Sequence, residues 1–183
     1  MQLTMPFKNF KATAAVLDSR MLVDQIQSAA EMIDAIREKK GPMRHMPDVQ
    51  AWRFNVDAVR GYLWALLDEH EHRFPELRQL QAHLRPVALD AFVPDVTLVP
   101  GWYNWAPYHD GQCGHLFRKD QTAYAQFRHH AAAPRIYPVL DNDGACIGWA
   151  QCVDMAAGRA PRYRRHNDQF NTRTYPTVGA AFA

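Results

Sequence analysis

Apolar residues recur at helical spacing along the first half of the chain. Leu22, Ile26, Ala29, Ile33 and Ile36 follow one another at intervals of four and three, which places them on one stripe and predicts a helix over residues 12–40. Asp24, Asp34, Arg37 and Glu38 fall on the opposite face, Lys39-Lys40 suit the negative end of the helix dipole, and Gly41-Pro42 stop it. A second helix is predicted from Pro47 to about Arg73. Pro47 loses nothing at a first helical position, and Trp52, Val56, Val59, Leu63, Leu66 and His70 form the stripe, with Tyr62 and Trp64 widening it. Two such helices on a short loop predict an antiparallel hairpin. Pro75 then opens a shorter helix, Glu76 to about Leu84, that buries Leu77, Leu80 and Leu84.

Periodicity fails from Arg85 to Gly114, where Pro, Gly and aromatic residues gather, so residues 85–114 read as an aromatic loop. Asp120 is expected to cap a short helix from Gln121 to about His130, with Tyr124 and Phe127 inward. Asp141-Asn142-Asp143-Gly144 separates two apolar runs and predicts a β-hairpin over 136–150. The expected fold is therefore mainly α: a compact helical domain with a long antiparallel helix hairpin, plus a small C-terminal β-hairpin. Residues 1–157 make that single domain, and 158–183 form a basic tail with Arg159, Arg162, Arg164, Arg165 and Arg173 against Asp168.

Composition narrows the class. The 183 residues are 48% hydrophobic and 22% charged, which is globular. No apolar run spans a bilayer and the first residues lack a secretory pattern, so a cytoplasmic protein that does not contact membrane is expected. Three cysteines without a CxxC pair argue for thiols in a reducing compartment. A net charge of +2 is too small to mark a nucleic-acid binder, so local placement carries that question.

Arg118-Lys119-Asp120 at the expected start of a helix would set two cations beside open N–H groups, an arrangement suited to phosphate, or it is a solvated, capped turn. Trp102-Tyr103-Asn104-Trp105 and Tyr108 would stack on bases or fold over the helices. The His and Cys residues lack metal-ligand spacing, so no metal is expected. GxSxG, P-loop and GxGxxG motifs are missing, which removes support for acyl transfer, nucleotide hydrolysis and dinucleotide chemistry. No cofactor is expected.

Val16-Leu17-Asp18-Ser19-Arg20-Met21-Leu22 with Gln25, then His45-Met46-Pro47 with Trp52, then His115-Leu116-Phe117-Arg118-Lys119-Asp120 with Tyr124, Phe127 and Tyr137-Pro138, stand in an order that resembles a bacterial and phage family. That family is the pyrimidine-dimer DNA glycosylase-like proteins of the phage endonuclease V type. The resemblance runs from Met1 to about Val139. It implies attack by an N-terminal α-amine on the sugar C1′ of a damaged nucleotide, an imine resolved with help from a helix-borne Glu, and base flipping. An α-amine near pKa 8 is a nucleophile at neutral pH.

Carried onto this sequence, the amine belongs to Met1, because Gln2 is too bulky for removal of the initiator. The family's Glu position falls on Ser28, and Glu31 is the carboxylate one turn on. The resemblance implies DNA as partner, a role in DNA repair or base modification, and DNA contacts from Arg20, Gln25, His45, Arg118, Lys119, Trp102 and Trp105. Two alternatives stand beside a glycosylase or abasic-site lyase. One is a catalytically inactive module, of a kind a phage would encode, that binds DNA or an unspecified protein partner. The other is a different DNA-base modification on the same fold.

Overall fold

The computed structural model describes residues 2–38, 43, 46–89, 99–140 and 146–151. The chain forms two compact units, residues 1–100 and 101–183. The expected single compact domain ending in a small β-hairpin is thereby corrected: the strand pair belongs to the second unit and not to the body built by the long helices.

In the first unit the long helix expected over 12–40 is two helices, α1 (Phe10–Val16) and α2 (Ser19–Arg37). The break has a local cause. Leu17 is extended, and the Asp18 carboxylate accepts from Met21 N at 2.9 Å, which starts a new helix. Asn9 caps α1 in the same way through Ala12 N. The second long helix is also divided, into α3 (Pro47–Trp52) and α4 (Val56–Arg73), with Asn55 at φ −130° and ψ 42° between them. Pro75–Leu84 winds as a 3-10 helix instead of an α-helix and leads into α5 (Arg85–Leu89). Lys39 to Pro42 and His45 lie outside the described residues.

Helix α4 is the centre of this unit, because α1, α2 and α5 all pack on it. The stripes read from the sequence supply its core: Leu22, Ala29, Ile33, Val59, Leu63 and Leu66 are fully buried. Arg73, the last residue of α4, closes the open end of α1. Its Nη1 donates to Leu17 O at 2.6 Å, and its Nη2 donates to Ala15 O at 2.8 Å and Ala14 O at 3.3 Å, while Glu69 holds its Nε at 2.7 Å. Arg73→Ala leaves three carbonyls of α1 without this cation and is expected to cost about 2 kcal/mol in urea unfolding. Arg73→Lys should recover less than half, since an ammonium cannot fork across three acceptors.

The second unit holds a 3-10 turn (Gly101–Asn104), α6 (Ala106–Lys119), a 3-10 helix (Ala125–His130) and strands β1 (Ile136–Leu140) and β2 (Cys146–Gln151). The strands pair antiparallel, Ile136 opposite Gln151 and Val139 opposite Gly148, with a register slip between Val139 and Leu140. Residues 141–145, where the Asp-Gly turn was expected, and the basic tail lie outside the described residues.

Residues 106–119 were expected to be loop or the start of a later helix, and they are the main helix of the unit. Its buried face, Tyr108, His109, Gln112, Cys113 and Leu116, is mostly polar or small. Asp120 therefore ends α6 instead of opening a helix, although its carboxylate accepts from Thr122 N and Ala123 N at 2.9 Å each to hold the next turn. Among the described residues no helix is long and apolar enough to cross a membrane.

Candidate functional site

The start of the chain is built into the first unit. Leu3, Met5 and Thr4 are buried, at 3%, 0% and 2% exposure, whereas chain termini ordinarily fray. Burying extended backbone requires partners for its amides, and side chains from three helices supply them. Gln25 on α2 accepts from Thr4 N at 2.7 Å through Oε1 and donates from Nε2 to Gln2 O at 3.0 Å. One side-chain amide thus pairs with the main chain on either side of Leu3, as a neighbouring parallel strand would. Tyr62 on α4, fully buried, donates its hydroxyl to Thr4 O at 2.8 Å and lies 3.3 Å from Gln25 Oε1. Thr13 on α1 takes Phe7 in both directions, accepting from its N–H at 3.2 Å and donating to its carbonyl at 3.1 Å. Residues 2–7 are held at every second or third residue.

The sequence-derived site residues fall differently. Gln25 was expected at DNA, but it is 4% exposed and engaged with the main chain. Arg20 is exposed on α2, and Ser28 is half-buried. Glu31 is exposed and its carboxylate accepts from Gln27 at 2.9 Å. Helix geometry places Glu31 about 120° around α2 from Gln25 and about 9 Å along it, so the two side chains do not share a face. Met1 and His45 lie outside the described residues.

In the second unit Trp102 and Tyr103 are buried at 2% and 1%, and Tyr108 meets Trp102 edge-on at 5.0 Å between ring centres. That cluster is core, while Trp105 is half-buried. Arg118 and Lys119 are exposed but occupy the last turn of α6, so the expected pairing of cations with open helix N–H groups is corrected. Arg118 Nη1 donates to Ala131 O at 2.7 Å and Ala133 O at 3.1 Å, tying the following segment to the helix. His115, one turn earlier, has its pKa pushed down to about 4 by burial first and then by Arg135, Arg118 and Lys119. Burial, reinforced by Asp110, pushes the Cys113 thiol up to about 11, which keeps it protonated and a poor nucleophile at neutral pH. Among the described residues no three His, Cys, Asp or Glu side chains gather as a metal-holding group.

Gln25, a DNA contact by resemblance, pairs here with the main chain of Gln2 and Thr4, and the sequence pattern gave no polar role to Thr4, Thr13 or Tyr62. The burial of Gln25 was itself legible: it sits within the apolar stripe of α2, a position where an amide requires buried partners.

Comparison with known proteins places the same stretch in context. No curated protein and no solved structure gives a significant match. Residues 1–81 are similar to the family described as pyrimidine dimer DNA glycosylase, so the resemblance expected out to Val139 is supported over those residues alone.

Proposed function

We propose that the protein acts on DNA, at a damaged or modified base or an abasic site, through amine chemistry at residue 1. The observation that carries this reading is the pinned segment of residues 2–7, which lies within the stretch matching the glycosylase family. An enzyme whose nucleophile is the α-amine needs its first residues ordered, and here buried hydrogen bonds supply that order. In the proposed reaction the neutral amine of Met1 forms a bond to C1′, the bond from C1′ to the base breaks, and the base leaves with a proton. Loss of the sugar ring C–O bond then gives the imine, which hydrolysis or elimination resolves. Glu31 is the proposed proton carrier, and Arg20 and Lys119 are proposed phosphate contacts, being exposed cations. The reading places the protein in the cytoplasm with its DNA.

Ser28 at the family's Glu position and the exposed, outward placement of Glu31 favour a second reading, a DNA-binding module without base release. One experiment separates them. Purified protein of verified mass is incubated with duplex DNA carrying an abasic site or a pyrimidine dimer, and borohydride is added. A covalent adduct mapped to residue 1 is the expected result. Salt-dependent binding with no adduct selects the binding module, and absence of both rejects DNA as the target.

A further inference from the structure

Phe54 stands where an apolar side chain gains least from folding. It lies in the three-residue connection between α3 and α4, and at 54% exposure it is the most open large apolar side chain among the described residues. The connection is not slack. Asn55 N donates to Trp52 O at 2.8 Å and Ala58 N donates to Asn55 O at 3.0 Å, so main-chain bonds fix the turn on both sides of the ring. Ala51 and Trp52 before it and Ala58 and Val59 after it are all buried. The turn therefore sits on the core of the first unit and holds Phe54 outward.

A single exposed apolar residue is ordinary on a protein surface and carries nothing by itself. What sets this one apart is the cation on its ring. The Arg53 guanidinium lies 4.4 Å from the ring centre, a cation–π pair, and its Nη1 donates to Gln50 Oε1 at 2.8 Å, which ties it back to α3. From residue 53 to residue 60 two arginines stand against one carboxylate, and that carboxylate, Asp57, accepts from Arg60 at 2.5 Å. A flat π surface with a cation beside it matches the two parts of a nucleotide, a base that stacks and a phosphate that carries charge. A neutral apolar partner would instead desolvate the guanidinium without giving it an anion. Bases of an intact duplex are stacked on one another and offer no open face, so the occupant that fits is an unstacked base. Damaged, mismatched and unpaired bases leave the stack at least cost.

We infer that Phe54 and Arg53 form a contact for an unstacked base in DNA, with Phe54 on the base and Arg53 at the adjoining phosphate. The inference rests on the proposed action on DNA and adds a contact outside the residues that the sequence suggested. Position 54 lies within the stretch similar to the glycosylase family.

The experiment measures binding of the full chain by fluorescence anisotropy to two labelled duplexes of one sequence, one intact and one with an abasic site, over a range of salt concentration. Thermal unfolding of each variant is followed alongside. Phe54→Ala should weaken binding to the abasic duplex by roughly fivefold to a hundredfold, with the affinity for the intact duplex and the unfolding midpoint unchanged. Phe54→Trp should keep the wild-type affinity, while Phe54→Leu, apolar but without a π face, should bind as weakly as Phe54→Ala. Arg53→Gln should lower the salt slope on the abasic duplex by about one. Wild-type affinity in Phe54→Ala, or an equal loss on both duplexes, overturns the inference while leaving the action on DNA intact. Full binding by Phe54→Leu overturns it too, as does a wild-type dimer in sedimentation that Phe54→Ala dissociates, since the ring would then be an interface between two copies. A wild-type protein that binds neither duplex overturns the proposed function, and this inference with it.

Discussion

Gly114→Ala is expected to destabilise the second unit by about 3 kcal/mol, against the usual gain of about 1 kcal/mol when alanine replaces glycine inside a helix. A Cβ at position 114 would stand 2.3 Å from His130 O and 3.0 Å from both Ala133 O and Arg118 Nη1. Gly111, one turn earlier on α6, meets the same strand of chain: its Cβ would stand 2.3 Å from Pro134 O and 3.2 Å from Pro134 C. The nearest obstacles are main-chain atoms, which cannot swing aside as a side chain would. Arg118 clamps this contact from the end of the helix by holding Ala131 O and Ala133 O. Urea unfolding of Gly111→Ala and Gly114→Ala tests the prediction, with Gly101→Ala as the control because nothing lies within 4 Å of a Cβ there. Equal midpoints for Gly114→Ala and Gly101→Ala would refute the close packing of α6 on residues 130–135.

Acid should weaken the same unit through His115. Its pKa lies near 4 in the folded protein, against the ordinary 6.5, with burial as the leading cause and Arg135, Arg118 and Lys119 adding to it. The sign follows from proton uptake. Below pH 6.5 the unfolded chain binds a proton at this residue that the folded chain refuses, so stability falls as pH drops and levels off near pH 4. The shift corresponds to a loss on the order of 3 kcal/mol across that window. His70 on α4, lowered by burial and partly restored by Glu76, works in the same direction in the first unit. His115→Gln should flatten the acid limb of stability against pH, and unfolding at pH 7 and pH 4.5 for both proteins measures the difference. Parallel losses in the two proteins would remove His115 as the cause.

The first unit was largely readable because its helices follow apolar periodicity. Leu22, Ile26 and Ile33 on α2 and Val59, Leu63 and Leu66 on α4 were assigned to the core from spacing alone, and they are there. The breaks were harder, since the cap at Asp18 sits inside a continuous stripe and interrupts it without disturbing the pattern. Helix α6 escaped because its buried face is Tyr108, His109, Gln112 and Cys113 with two glycines, and no hydrophobicity pattern separates that from loop. The close approach of residues 130–135 is what makes those small residues correct, and that approach is a tertiary fact. At the candidate site, the sequence pointed to Gln25 by resemblance and could not show that its partners are Gln2 and Thr4, more than twenty positions earlier. Trp102 was open between base stacking and packing, and the choice rests on tertiary contacts with Tyr103 and Tyr108 that the sequence does not show.

The arginine that closes α1 also sets when that helix can exist. Seven residues are too few to be stable alone, and the end of α1 is completed by a side chain that follows it by 56 to 59 positions. The end of α1 is therefore completed only when the last turn of α4 is folded against it. In the finished protein its amides should exchange with solvent at the rate at which α4 opens, which makes the two helices one cooperative unit although α2 lies between them in the chain.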